Sequence, residues 1–141
     1  MAVYPFTKYK YNVEIDGITA GFSEVSGYDA SIEATDYREG NMAALTPKKV
    51  AGIRKYGNIT LKWGVTTSKD LYDWMAKSFD KGVDRKTVSI SLQNDEGSNV
   101  ATWQIIEAWP TKYTGPEFNA TSSDVAIETL ELAHEGMTRT K

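Results

Sequence analysis

Cysteine is absent from this 141-residue chain, and histidine occurs once, as His134. Without thiols there is no disulfide framework, no thiolate metal site and no thiol nucleophile. A single imidazole argues against a His-based zinc site and against an ordinary Ser/His/Asp triad. Long apolar runs are missing too. Nothing approaches the ~20 residues needed to span a bilayer, and the opening MAVYPFTKYKYNV lacks the apolar stretch of a signal peptide. Positive charge is not in excess. A formal net charge of −3 and an isoelectric point of about 5.2 argue against a binder that neutralises nucleic-acid phosphates.

The few polar clusters that remain are better read as structure. Asn94-Asp95-Glu96 lacks the alternating ligand pattern of a calcium loop and reads as a turn. Asp70 and Asp73 lie on the solvent side of a helix. Asn58-Ile59-Thr60 and Asn119-Ala120-Thr121 match a glycosylation pattern that matters only in a secreted eukaryotic chain. His134 has no evident partner and reads as a partly exposed strand residue. The expectation is a protein that is not an enzyme and holds no metal or cofactor.

What is present is an ordinary globular composition, 40% apolar and 25% charged, in one domain covering 1–141. Most of it alternates with period two. Lys8–Ile15 carries Tyr9, Tyr11, Val13 and Ile15, followed by Asp16-Gly17, a two-residue hairpin turn. A second strand is expected over Ile18–Val25. A third, Ala30–Tyr37, sets Ile32 and Ala34 against Ser31, Glu33 and Thr35. Arg38 to Lys55 reads as a long irregular segment holding Gly40, Pro47 and Gly52. Segments of this kind are functional or mobile, so it is either an interaction arm or a plain surface loop.

Tyr56–Val65 resumes the alternation, with Ile59, Leu61 and Trp63 on one side. Leu71, Trp74, Met75 and Phe79 then fall at helical spacing. A helix is expected over Ser68–Lys81, with Ser68 as N-cap, Gly82 as its stop and the apolar stripe in the core. Lys86–Gln93 alternates Val88, Ile90 and Leu92 with Ser89 and Ser91. The turn Asn94-Asp95-Glu96-Gly97 leads to a partner strand, Asn99–Trp109, that Pro110 should end. Thr111–Ser123 reads as a second loop. In Asp124–Glu135 the apolar phase slips from Val125 and Ile127 to Leu130 and Leu132, the mark of a bulge.

The fold class is therefore mainly β: two packed antiparallel sheets, sandwich or barrel-like, with one flanking helix and a long extended loop. Open sheet edges template pairing with other chains, and ring closure uses such edges up. That suggests a building block. The alternative from a different class is a monomeric β-sandwich binding module, such as a carbohydrate reader using Trp63, Trp103 and Trp109 as a stacking platform. Strand parity argues against it, because Trp63 shares a face with Leu61 and Trp103 shares one with Ile105.

The order of segments resembles the tail tube proteins of contractile injection systems, which include contractile phage tails and extracellular phage-tail-like particles. The resemblance runs from Tyr11-Asn12-Val13 through Phe22-Ser23-Glu24-Val25-Ser26-Gly27, Ile32-Glu33 and Tyr37-Arg38-Glu39-Gly40. It continues in Tyr56-Gly57-Asn58-Ile59-Thr60-Leu61-Lys62, Gly64-Val65 and the helix Leu71-Tyr72-Asp73-Trp74. The second half contributes Val88-Ser89-Ile90-Ser91-Leu92, Asn94-Asp95-Glu96-Gly97, Trp103, Ala108-Trp109-Pro110 and Ala126 to Gly136. Trp63 stands where this group often carries a basic residue.

The resemblance implies a structural subunit. Its hexameric rings stack into a rigid tube inside a sheath, and sheath contraction drives the tube through a target envelope. It implies as partners further copies of the chain, the sheath protein, baseplate or spike and tube-capping proteins, and a payload protein or DNA in the lumen. No stable membrane insertion of the monomer is expected. Synthesis in the bacterial cytoplasm without a signal peptide, then assembly into a virion tail or particle, is the expected route. A tube-like paralogue that caps the tube or joins it to the baseplate is the alternative within the family. In the loop, Arg38, Glu39, Gly40, Asn41, Met42, Lys48, Lys49 and Arg54 are the expected contacts between subunits or rings. Family strands matching 18–25, 30–37, 86–93 and 99–109 line the bore. Alternation then assigns Ser31, Glu33, Thr35, Ser89, Ser91, Thr102 and Gln104 to the lumen. It assigns Ile32, Ile59, Leu61, Val88, Ile90, Leu92 and Trp103 to the core, joined by Leu71, Trp74 and Phe79 of the helix.

Overall fold

Alternating apolar and hydroxyl side chains give this chain one large antiparallel sheet, and one long strand makes the sheet fold over. The computed structural model describes residues 4–16, 18, 19, 21–41, 43 and 46–141. Its elements are β1 (Tyr11–Ile15), β2 (Ile18–Thr19), β3 (Glu24–Ser26), β4 (Ala30–Tyr37), β5 (Lys48–Tyr56), β6 (Ile59–Gly64), α1 (Asp70–Lys81), β7 (Lys86–Gln93), β8 (Asn99–Thr114), β9 (Ile127–Ala133) and β10 (Gly136–Arg139). Eight strands join in the order β2-β1-β7-β8-β9-β6-β3, with β10 also paired to β8. β4 and β5 form a separate two-stranded ribbon.

The 16-residue β8 is the spine. Its first half pairs with β7 and β10, its second half with β9. Between them an extra residue interrupts the pairing with β7, beside Glu107, whose φ is +54°. A second slip falls between Pro110 and Lys112. Bulges bend a strand, so the two halves of the sheet close over a shared core. Val13, Ile15, Val88, Ile90 and Ile105 come from one half, Ile59, Leu61, Leu130 and Leu132 from the other, and Leu71 and Trp74 from α1. β2 and β3 lie at opposite ends of the strand order, so the sheet is not closed within one chain.

Several expectations change here. The proposed strand 18–25 is two strands, β2 on β1 and β3 on β6. The second half of the supposed irregular segment is β5, whose alternation is masked by a bulge: Glu33 of β4 faces the stretch between Ala51 and Arg54 of β5. Gly52 sits at that bulge, where a Cβ would lie 3.3 Å from the Glu33 carbonyl oxygen. Pro110 does not end β8: the strand runs on to Thr114, and the pairing with β9 slips directly after Pro110, at the kind of irregularity where proline is tolerated in a sheet. Nor does β9 contain a bulge, since its pairing with β6 runs unbroken from Ile127 to Leu132. The apolar phase slips because a carboxylate, Glu128, takes an inward position. α1 starts at Asp70 with Lys69 at the cap position and no side-chain cap, so Ser68 does not serve as expected.

Candidate functional site for assembly

Two surfaces stand out once the core is assigned, and both follow from strand alternation. The first is the outer face of β1, β7, β8 and β10. Cross-strand register sets Asn12 beside Ser91 and Ser91 beside Thr102 in one row. The neighbouring row runs Glu14, Ser89, Gln104 and Thr138. This face is hydroxyl- and amide-rich, with Glu14 as the carboxylate of these two rows. Ser91 needs a correction: it belongs to this face but is only 5% exposed. It is a small side chain on a central strand, covered by its neighbours, and its hydroxyl lies 3.1 Å from Thr102 Oγ1. Ser89 and Thr102 are half-buried and Gln104 is exposed. Asn12 and Glu14 were missed, although the parity of Tyr11, Val13 and Ile15 already puts them opposite the core.

The second surface is the β4–β5 arm. Every residue of both strands is exposed, and among the described residues the two strands pair only with each other. Ser31, Glu33 and Thr35 share one side of it by alternation. Ile32, expected in the core, is 59% exposed, because its strand leaves the body and no layer covers it. Val50, Ile53 and Tyr37 are further exposed apolar or aromatic residues of the ribbon. Lys49 pairs with Asp36 across the ribbon. Tyr37 donates to Glu39 at 2.8 Å, and that bond holds the phenol proton and raises its pKa. Residues 30–56 hold five basic and three acidic side chains, so the arm carries +2 in a chain of net −3. Arg38, Glu39, Gly40 and Asn41 form the exposed tip, and Lys48, Lys49 and Arg54 lie on β5. Met42 lies outside the described residues.

Other expected positions sort by burial. Ile59, Leu61, Leu71, Trp74, Val88 and Ile90 are buried, while Leu92 and Trp103 are half-buried. Leu92 and Trp103 line an open groove of about 720 Å³, together with Tyr9, Tyr11 and Tyr28. Phe79, placed in the core by its spacing, is 86% exposed. At 3.6 residues per turn it lies about 80° round the helix from Leu71 and about 140° from Trp74, outside a narrow buried stripe. The three tryptophans do not form an open stacking platform. Trp63 is buried against Phe22, Trp103 contacts Tyr28 and the Arg139 guanidinium, and Arg85 lies over Trp109.

His134 does have a partner. Its Nε2 lies 3.1 Å from the Gly57 carbonyl oxygen, and its ring packs on Tyr56 at 5.3 Å between centroids. Both residues stand at the root of the arm.

The T4-like virus tail tube protein gp19 family matches residues 7–138. No curated protein sequence matches. Among solved structures, a chain of the PVC sheath–tube complex, an extracellular contractile injection system in its extended state, is 33% identical with a TM-score of 0.89. That match covers 97% of this chain and 92% of the other. A chain of the PVC sheath/tube terminator is 32% identical over 100% of both chains, with a TM-score of 0.92. A chain of the tube-terminating cap of the anti-feeding prophage is 31% identical, TM-score 0.90, covering 99% and 94%. Hcp1 from Flavobacterium johnsoniae, at 21% identity and a TM-score of 0.66, shares the fold. An open antiparallel sheet, one helix and a projecting ribbon agree with a match of this extent: the chain belongs to the T4-like tail tube protein family.

Proposed function

We propose that this chain is a structural subunit of the inner tube of a contractile tail or phage-tail-like injection particle. The observation that carries the reading is the β4–β5 arm, which presents apolar and basic residues on a ribbon that no layer of the described residues covers. An isolated two-stranded ribbon is marginal in water, so its natural cover is another copy. The sign of charge favours this, since a +2 arm leaves −5 on the rest of the chain.

In this reading six subunits close a ring by joining open sheet edges, and rings stack within a contractile sheath. Arg38, Glu39, Gly40, Asn41, Met42, Lys48, Lys49 and Arg54 then lie between subunits or rings. The face bearing Ser89, Ser91, Thr102 and Gln104 lines the bore, extended by Ser31, Glu33 and Thr35 where the ribbon joins it. Sheath, baseplate and capping proteins are the partners, and a protein or DNA payload passes along the lumen. The second reading is a tube-terminating paralogue, favoured by the full-length likeness to the PVC terminator.

Negative-stain imaging of the purified, concentrated chain tests both. Long stacked tubes support the main subunit, and single rings that stop growth of tubes support the terminator. A strict monomer at high concentration overturns both.

A further inference from the structure

The arm leaves the body through two adjacent strands of chain, Gly27–Asp29 and Tyr56–Asn58, and these cross at close quarters. Gly27 has φ +89°, and a Cβ there would lie 2.4 Å from the Asn58 carbonyl oxygen. Gly57 N–H donates to the Asp29 carbonyl at 3.1 Å. Each side of this root is seated on the body by a ring contact. Tyr28 lies against Trp103 of β8, with centroids 5.8 Å apart. Tyr56 lies against His134, just beyond β9.

Of these two ring contacts, the His134 one also bonds the backbone of the root. A carbonyl oxygen can only accept, so the Gly57 contact fixes the hydrogen on Nε2. In the neutral ring Nδ1 is then the acceptor, and it is buried with no hydrogen-bond partner among the described residues. An orphaned buried polar atom costs stability and calls for an explanation. Packing on Tyr56 does not supply one, because a phenylalanine would pack there without an orphaned nitrogen. The Nε2–H bond to Gly57 does.

We infer that His134 is the positioning residue of the arm: its bond to the Gly57 carbonyl, with its ring on Tyr56, sets the direction in which the ribbon leaves the body. The lever is long. Eight residues of β4 at about 3.3 Å each reach about 26 Å, so a tilt of 15° at the root displaces the tip by about 7 Å. A displacement of that size would carry the tip off a contact on another copy. This inference rests on the arm being a contact between subunits, and it adds what aims it.

The test uses the full chain, which has no native thiol. Ala43→Cys at the tip and Lys77→Cys on α1 accept spin labels, and pulsed electron paramagnetic resonance reads the distance distribution between them. Unlabelled chains serve for assembly. His134→Phe keeps a ring and removes the donor; His134→Gln keeps an N–H at the reach of Nε2. His134→Phe is expected to broaden the distribution and raise the concentration for tube formation at least tenfold. Amide exchange in β6 and β9 should not change. His134→Gln is expected to restore both readouts. A narrow distribution in His134→Phe overturns the inference, as does equal broadening in both variants. If His134→Phe does not fold, Tyr56→Ala decides: broadening supports the inference and an unchanged distribution overturns it. If the unsubstituted chain makes no tubes, the tube reading fails, and the distance measurement still decides on His134.

Discussion

The Tyr113 hydroxyl donates to the Glu128 carboxylate across the β8–β9 pair, with Tyr72 of α1 edge-on to the phenol ring at 5.2 Å. Burial first, then the Glu128 bond and charge, push the Tyr113 pKa up to about 12 from 10.0. A phenol whose folded pKa is raised stabilises the fold below its unfolded pKa and loses that contribution as pH climbs through the folded value. Stability should therefore fall between about pH 10 and 12, where the unfolded chain releases a proton that the fold retains. Tyr113→Phe should flatten that part of the profile in denaturant titrations at stepped pH. Some slope will remain, because burial and Glu24 also raise Tyr11. An identical slope in Tyr113→Phe would contradict the assignment.

This pair also explains what the sequence could and could not reveal. Strands such as β6 and β7 were legible because every second residue is apolar and the other side chains are small or charged. β9 misled because an inward Glu128 breaks the apolar phase, and its carboxylate accepts a hydrogen bond from Tyr113 there. β5 was missed because Gly52 and the bulge shift its period by one residue. The arm's exposure was illegible at Ile32, since alternation tells which side a residue takes and not whether anything lies over that side. The root contact of His134 joins residues 77 apart in sequence, beyond any local pattern.

Trp74 and Phe79 separate burial from spacing on α1. Trp74 is 3% exposed and its Nε1–H donates to the Asp84 carbonyl at 2.7 Å. Trp74→Ala should cost about 3–5 kcal/mol by loss of a large buried ring, read as a marked fall in thermal midpoint. Phe79→Ser should change stability by no more than about 0.5 kcal/mol, the usual range for an exposed site. A large loss in Phe79→Ser from the isolated monomer would mean that α1 is rotated from the orientation described.

Ala30 and Tyr56 are cross-strand partners at the base of the arm. Replacing residues 31–55 with Asn-Gly should therefore close the gap with a two-residue turn. None of the described residues of the excised segment belongs to the body core, so the shortened chain should fold with its β6–β9 amides still protected. It should not assemble. Tubes of ordinary length from this deletion would remove the arm from the assembly mechanism.

The absence of cysteine makes the polar face directly testable. Ser89→Cys and Gln104→Cys place single thiols on the outer side of β7 and β8, and Lys77→Cys places one on exposed α1. In the monomer a small maleimide should label all three, Gln104→Cys faster than the half-buried Ser89→Cys. In assembled tubes the small reagent should still reach every site by diffusing along the bore. A polymer-linked maleimide too wide for the bore should reach Lys77→Cys alone. The wall so defined would be hydroxyl- and amide-rich with Glu14 repeated in every subunit, a like-signed band whose field is focused by a narrow channel. Glu14→Lys should reverse that band without disturbing the core, because Glu14 is exposed on the strand face opposite Val13 and Ile15. Retention of an acidic dye inside the tubes should rise in that variant. Labelling of Gln104→Cys by the polymer reagent at the rate of Lys77→Cys would place this face on the outside of the tube and reverse the assignment.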